Sequence, residues 1–320
     1  MQFVKSTLVF AMMLAGLTAC HDQDKNTKVI GIVLPLEHKA MQEIVKGFTE
    51  TLKQQYHQPV KIVVENAEGD PNLERAILQK MHDNHYDVIV PVGTDATEMA
   101  VSMAEGRTVV SLASDLSDQA RHQLKDCNVA VVHDEISVEQ SLKFIHAVYP
   151  NIHELTLVHS AANKVFPEVQ AAVAAGKAYG ITIHPLMVSS LAELYSVANS
   201  IPATSQGIFV LKDSLIVSGI ATLAKTASDK HIPLITSDEG SVESGAGFAM
   251  GVYESQIGVQ GAELASAVLN GSKACDLPIR EMRDLTVFVN QSAMQSEGQT
   301  LAPITQAATS FTYKIKMVGG

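Results

Sequence analysis

The chain has 320 residues, of which 46% are hydrophobic and 18% are charged, a balance typical of globular proteins with room for two domains. Its net charge of −11 argues against a nucleic-acid partner, because nucleic acids select basic surfaces. Tryptophan is absent and aromatic residues make up 5%, which leaves little material for a groove that stacks bases or sugars.

The N-terminal segment has the pattern of a secretory signal. Lys5 precedes the uncharged run STLVFAMMLAGL (6–17). This run is shorter than the roughly 20 residues that a membrane-spanning helix needs. We therefore predict a signal peptide over 1–19.

The apolar run ends in LTAC (17–20), which resembles the lipobox of bacterial lipoproteins. The resemblance implies that Cys20 is lipidated, becomes the first residue after cleavage and begins a polar tether over 20–27. The implied location is the periplasm or the cell surface, with attachment to a membrane through Cys20. A plain secretory signal with an incidental cysteine is the alternative.

The other cysteines and the histidines do not form a metal-binding pattern. Cys127 and Cys275 could pair in an oxidising compartment, but two unpaired thiols are the simpler expectation. His82 and His85 lie in HDNH at the end of a predicted helix, where exposure to solvent explains them better than a metal. We predict no metal and no cofactor, since a GxGxxG motif is also absent after the first strand. No nucleophile–base pair is visible, so we predict no enzyme.

Strand and helix patterns alternate from Lys28 onward. The segment HKAMQEIVKGFTETLKQQ (38–55) places Met41, Ile44 and Phe48 on one helical face. Asp70 and Pro71 have the residue types of a helix start. The first set of predicted strands covers 28–35, 60–67, 86–93, 108–114 and 129–134, with helices over 38–55 and 71–84.

A second set follows the first. Its predicted strands cover 154–160, 181–188, 207–213, 233–239, 248–253 and 285–290. Its predicted helices cover 137–149, 164–178, 190–200, 214–229 and 254–271. The last segment, 300–320, is weakly patterned.

Two such sets predict an α/β protein with two doubly wound parallel-sheet lobes joined by a multi-strand hinge. Crossings between the lobes are expected near 132–134, 251–253 and 284–290. The predicted first lobe is 28–132 plus about 253–283. The predicted second lobe is 133–252 plus about 284–300, followed by a C-terminal tail over 301–320. Ligands of such sheets bind beyond the carboxyl ends of the strands.

The order of many short segments carries a family resemblance. IGIVLPLEHKAMQEIVKGF, VENAEGD, DVIVPVGTDAT, VVSLASD, LVHS, LKDS and PLITSDEGSV follow one another between about 28 and 298. This order resembles the substrate-binding lipoproteins of ABC importers in the tryptophan/tyrosine-type group. The resemblance implies type I periplasmic-binding-protein-like lobes, which clamp an aromatic amino acid and deliver it to a permease.

The resemblance also implies a set of ligand contacts in the cleft. They are Glu37, His38, Thr94, Ser114, Asp115, Ser160, Asn163, Asp213, Asp238 and Glu239. One loop, HSAANKV (159–165), departs from the family's Asn-Ser-Ser start and later Asn-Ser, keeping Ser160, with Asn163 as a substitute after a slip of one residue. Since those positions help to hold a zwitterion, a different small polar ligand is the alternative to an aromatic amino acid.

Elementary chemistry gives these residues compatible roles. Hydroxyls such as those of Thr94 and Ser160, with backbone N–H groups at helix starts, suit a carboxylate. The acidic side chains after the strands suit an ammonium group. Taken singly, each of these side chains is equally explained as a helix cap. For Asp238 and Glu239 together, ligand binding is favoured, because one cap does not need two acids.

These patterns predict a lipid-anchored extracytoplasmic solute-binding component of an ABC importer. Its predicted partners are a small ligand, the permease and ATPase subunits, and the membrane through the lipid; a monomer is expected. The alternative is a ligand-sensing or accessory envelope lipoprotein with the same clamp and no transport role.

Overall fold

The computed structural model describes residues 27–103, 106–124, 128–134, 136–282 and 284–319. The predicted signal peptide, Cys20 and the tether up to residue 26 lie outside the described residues. Within the described ranges, no helix is both long and apolar enough to span a bilayer.

The strands alternate with helices along most of the chain. The strands are β1 (Lys28–Leu34), β2 (Val60–Asn66), β3 (Val88–Pro91), β4 (Thr108–Leu112), β5 (Val129–His133), β6 (Glu154–Ser160), β7 (Thr182–Val188), β8 (Ile208–Phe209), β9 (Leu234–Thr236), β10 (Phe248–Gly251), β11 (Arg280–Glu281), β12 (Thr286–Val289) and β13 (Lys314–Met317).

The α-helices lie between these strands and after β12. They are α1 (Lys39–Gln55), α2 (Pro71–Asp83), α3 (Thr94–Met103), α4 (Asp118–Gln123), α5 (Val138–Val148), α6 (Val165–Gly176), α7 (Leu191–Asn199), α8 (Ser214–Ser218), α9 (Ile220–Lys230), α10 (Glu239–Glu243), α11 (Glu254–Leu269), α12 (Gln291–Ser296) and α13 (Leu301–Phe311).

The first lobe is built on a six-stranded sheet in the order β11-β5-β4-β3-β1-β2, with all pairs parallel. In the interior strand β1, Ile30 lies opposite Ile62 on one side and Val88 on the other. Ile30 and Val88 are fully buried, as expected for a parallel strand with helices on both faces.

The second lobe is built on a seven-stranded sheet in the order β13-β12-β10-β9-β8-β6-β7. Its pairs are parallel except for β10 with β12, which is antiparallel. The predicted α/β fold with two parallel-sheet lobes is therefore confirmed, with one antiparallel pair added.

Two segments differ from the sequence-based expectation. The weakly patterned segment 301–320 contributes α13 and β13, which pairs with β12 at the edge of the second sheet. The helix expected over 214–229 is divided at Gly219 into α8 and α9. A Cβ atom at Gly219 would overlap the end of the Leu194 side chain on α7, which would have to shift to admit it.

Cys275 is disulfide-bonded. The expectation of an unpaired thiol is therefore wrong for this residue. The other two cysteines of the chain, Cys20 and Cys127, lie outside the described residues.

Candidate functional site

A cleft lies where the carboxyl ends of the parallel strands of both lobes face each other, as expected for sheets of this kind. It encloses about 900 Å³ of empty space, part of it open to solvent. The polar residues that line it are His38, Thr94, Asp95, Asp134, Ser160, Lys164, Lys212, Asp213, Ser214, Asp238 and Glu254.

A buried group of three charges lies at the centre of the cleft. The ammonium group of Lys212, which follows β8, lies 2.6 Å from Oδ2 of Asp134 and 3.1 Å from Oε1 of Glu254. Asp134 directly follows β5 and Glu254 begins α11, so each comes from a segment that connects the two sheets. Lys212 therefore ties the second lobe to both connections.

The three charges control one another's ionisation. Burial alone favours the neutral form of Lys212, but the charges of Asp134 and Glu254 outweigh burial and raise its pKa. Burial likewise opposes ionisation of Asp134, but the charges of Lys212 and Lys164 hold its pKa below the usual value. Burial raises the pKa of Glu254 to about 7, with a smaller opposing effect from Lys212.

Asp134 retains an acceptor for a ligand. Its Oδ2 is bonded to Lys212, whereas its Oδ1 is buried and has no hydrogen-bond partner among the described residues. An unpaired buried carboxylate oxygen is costly unless something binds to it. Asp134 Oδ1 is therefore a natural position for a ligand's ammonium group.

Lys164 provides the second cation of the cleft. Its ammonium group is mostly buried and lies 3.4 Å from Oδ2 of Asp115 in the first lobe. Burial favours its neutral form, but the charges of Asp134 and Asp115 outweigh that effect and raise its pKa. The loop HSAANKV thus directs Lys164 into the cleft, while Asn163 lines a separate cavity.

His38 lies at the start of α1, and both of its ring nitrogens are buried without a hydrogen-bond partner among the described residues. Burial lowers its pKa, Asp238 opposes that shift and Lys212 adds to it. A neutral imidazole can donate one hydrogen bond and accept another. His38 is therefore available to both a donor and an acceptor on a ligand.

Two of the predicted acids are already occupied as helix caps. Asp213 accepts hydrogen bonds from the backbone N–H groups of Ser160, at 2.5 Å, and of Leu215, at 3.2 Å. Asp238 accepts from the backbone N–H and the hydroxyl of Ser241. Both acids line the cleft, but their strongest contacts organise the loops.

Of the ten predicted contacts, the structure brings His38, Thr94, Ser160, Asp213 and Asp238 together on the cleft wall. Five do not line it: Glu37, Ser114, Asp115, Asn163 and Glu239.

Each of the five has another environment, and that of Asn163 is the separate cavity already described. Glu37 is exposed and accepts from Gln42, and Ser114 is fully buried against Ser111. Asp115 contacts Thr94 and Lys164 behind the wall. Glu239 is held by Lys316 at 2.6 Å, so the argument that paired acids indicate ligand binding does not apply to it.

Sequence reasoning missed Asp134, Lys164, Lys212 and Glu254. Each lies in the segment that follows a strand or at the start of a helix, which is where ligands of parallel sheets bind. A search for charges at those positions, without regard to type, would have found them.

Aliphatic residues of both lobes line the cleft. They are Ala40, Met41, Ile44 and Ala113 of the first lobe and Val165, Leu215 and Val217 of the second, and among the described residues no phenylalanine, tyrosine or tryptophan lines the cleft. Across the described ranges, no cluster of three or more His, Cys, Asp or Glu side chains is arranged to hold a metal ion. The cleft thus combines charges of both signs with an apolar surface.

Comparison with known proteins decides the family. The family of ABC transporter substrate-binding proteins matches residues 29–309. The chain belongs to this family. An uncharacterized protein of Rickettsia prowazekii is 34% identical over 284 residues, which cover 89% of this chain and 88% of that protein. The family resemblance inferred from the sequence is confirmed.

Two further relatives have ligands in their names. A tyrosine-binding protein of Clostridioides difficile is 23% identical over 324 residues, covering 92% of this chain and 93% of that protein. An ABC domain from Streptococcus pneumoniae, solved in complex with L-Trp, is 23% identical and superimposes with a TM-score of 0.81, covering 91% of this chain and 100% of that one. The latter establishes a shared type I periplasmic-binding fold.

Proposed function

We propose that this substrate-binding protein is the lipid-anchored, extracytoplasmic component of an ABC importer and captures an amino acid between its lobes. The observation that carries the proposal is a pair of groups facing the cleft: Oδ1 of Asp134, which has no hydrogen-bond partner among the described residues, and the ammonium group of Lys164. An acid and a base on a shared cavity suit the two ends of a zwitterion.

The proposed pose follows from the lining. The ligand's ammonium group donates to Asp134 Oδ1, and its carboxylate accepts from Lys164 and from the imidazole of His38. The side chain of the ligand then lies against the aliphatic residues around Met41 and Ile44. The tyrosine-binding and L-Trp-bound relatives support an amino acid as the ligand class.

Anchoring through Cys20 would keep the monomeric binding protein beside the membrane. In this proposal the ligand-loaded form is presented to the permease, and ATP hydrolysis by the ATPase subunits drives uptake. Family membership supports this transport role. A sensing or accessory role with the same clamp predicts ligand binding without any effect on uptake.

The test is isothermal titration of the full-length protein in detergent with L-amino acids, for wild type and Asp134→Asn. We expect one amino acid to bind and its affinity to fall at least about 10-fold in Asp134→Asn, which loses a charge-assisted hydrogen bond. Asp229→Asn removes an exposed acid paired with Lys225 and is expected to bind like wild type. Thermal unfolding of each variant separates lost binding from lost folding.

Binding of some other solute, with no response to any amino acid, would contradict the proposed ligand. Uptake into vesicles that carry the permease and ATPase decides between the two roles. If uptake requires this protein, the transport role is supported. If uptake is the same without it, the sensing or accessory role is supported.

A further inference from the structure

A second cavity lies beside the cleft and shares two lining residues with it, Pro35 and Asp95. We call it the side cavity. It encloses about 1020 Å³ of empty space, part of it open to solvent. It is lined by Pro35, Gly69, Asp70, Pro71, Glu74, Arg75, Asp95, Glu98, Met99, Ser102 and Asn163. The first lobe supplies all of these residues except Asn163, which follows β6 in the second lobe.

The side cavity is acidic. Four carboxylates line it, from Asp70, Glu74, Asp95 and Glu98, and among the described residues Arg75 is the single basic residue of the lining. Acidic clusters on surfaces are common and are usually hydrated. The position of Glu74 distinguishes this one.

Glu74 is 5% exposed, and its Oε1 is buried without a hydrogen-bond partner among the described residues. Burial, and then the nearby charge of Asp95, raise the pKa of Glu74. A buried carboxylate oxygen that nothing satisfies costs free energy, and a cation placed against it would remove that cost.

The start of α2 does not account for Glu74. An acid in the first helical turn can serve as a cap or face the helix dipole. Here Asp70 is the cap, since its Oδ1 accepts from the backbone N–H of Asn72 at 2.8 Å. Glu74 Oε1 receives no such donor from the described residues.

We propose that the side cavity is a subsite for a cationic group, an ammonium or a guanidinium, on a ligand whose other end occupies the cleft. Glu74 accepts from that cation inside the cavity, and Asp95 faces it at the boundary with the cleft. This inference rests on the proposed function, because it extends the same ligand past Pro35 and Asp95. The ligand class that fits is a basic amino acid or a short peptide with a basic end.

Asn163 gives the side cavity a contact from the second lobe. A ligand that fills both cavities would therefore contact Asp134 and Lys164 in the cleft, and Glu74 of the first lobe and Asn163 of the second lobe in the side cavity. A neutral ligand of the same length would make the first pair of contacts only.

The test compares L-lysine with L-norleucine, which has the same carbon chain without the terminal ammonium group. Isothermal titration uses the full-length protein in detergent, as wild type, Glu74→Gln and Glu98→Gln, with L-arginine and putrescine as further probes. We expect L-lysine or L-arginine to bind wild type at least about 10-fold more tightly than L-norleucine. In Glu74→Gln that preference is expected to disappear, with L-norleucine affinity unchanged.

Glu98→Gln is the matched control, because it neutralises an exposed acid of the same cavity. A loss of basic-ligand affinity equal to that in Glu74→Gln would show a general charge effect and overturn the subsite. The subsite would also be overturned if wild type bound L-lysine and L-arginine no more tightly than L-norleucine. The one exception is the case in which putrescine binds and no amino acid does.

The two proposals fail in different ways. If no amino acid binds but putrescine does, and Glu74→Gln abolishes its binding, the amino-acid proposal is wrong while the cation subsite stands. If neutral amino acids bind and the basic probes show no dependence on Glu74, the subsite is wrong while the proposed function stands. If none of these probes binds, both are wrong.

Discussion

Glu297 is a buried acid far from the cleft and illustrates how one residue sets a pH dependence. It follows α12, is 1% exposed and packs against the backbone of Gly247. Burial raises its pKa to about 8, with backbone groups of Leu234 and Gly247 opposing part of the effect. The folded protein therefore holds a proton on Glu297 at neutral pH.

This residue should make the protein less stable as pH rises. The unfolded chain loses the proton near the ordinary value of 4.5, whereas the folded chain keeps it to about 8, so the folded state binds more protons between these values. The free energy of unfolding is expected to fall by a few kcal/mol across that range and to level off above it. In Glu297→Gln the free energy of unfolding should fall much less between pH 5 and pH 8, as measured by urea denaturation at both pH values.

Glu50→Gln is the control, because Glu50 is exposed on α1. It should keep the slope of the wild type. An equal slope in wild type and Glu297→Gln would contradict the assignment, since the pH dependence would then come from other groups.

At the residue scale, the sequence predicted the loops of the cleft better than its contacts. His38 and Asp238 line it as expected, but Glu239, the next residue after Asp238, is turned away and held by Lys316. Neighbours in a loop face different directions, and their order does not show which one faces the cavity.

Lys212 was missed because a lysine after a strand is usually exposed, and its burial depends on Asp134 and Glu254 from distant segments.

At the scale of elements, α1 and α11 pack closely because glycine lies at their contact. A Cβ atom at Gly258 would overlap the carbonyl oxygen of Ile44, and one at Gly47 would overlap that of Ser255. Both helices were predicted from their apolar periodicity. Their contact was not, since periodicity identifies a buried face without naming the helix that covers it. The same limit applied to α13 and β13, which have little pattern and are ordered by the second sheet.

Gly258→Ala tests this packing. In an exposed helix interior the change would stabilise the protein by up to about 1 kcal/mol, because alanine is the better helix former. Here we expect destabilisation by about 1–3 kcal/mol, because the added methyl group meets backbone atoms that cannot move aside. The midpoint of urea denaturation measures the effect.

The sign of the stability change in Gly258→Ala shows whether helix propensity or steric overlap dominates, since the two effects act in opposite directions. Gln256→Ala, at an exposed position of the same helix, is expected to change stability by less than about 0.5 kcal/mol. A more stable Gly258→Ala would mean that the two helices are not in close contact.

At the scale of the whole molecule, the two lobes touch across the mouth of the cleft. Lys39 of α1 lies 2.9 Å from Oε2 of Glu243 in α10, and both side chains are substantially exposed. An exposed ion pair of this kind contributes little, typically below about 1 kcal/mol. Gly240 makes the closer approach: a Cβ atom there would lie 2.8 Å from the backbone nitrogen of Ala40. Closure therefore depends more on the absence of a side chain at Gly240 than on the ion pair.

Gly240→Val should separate closure from folding. The backbone of Gly240 is not in the left-handed region, so valine strains the chain little, but its side chain would hold the lobes apart. We expect thermal unfolding without ligand to stay close to wild type, while affinity for the cleft ligand falls at least about 10-fold, because contacts from the second lobe no longer reach it. X-ray scattering with saturating ligand should give a larger radius of gyration than wild type.

Glu243→Gln, which weakens only the exposed pair, should bind and compact like wild type. If Gly240→Val did the same, the contact between α1 and α10 would have no part in holding the lobes together around a ligand.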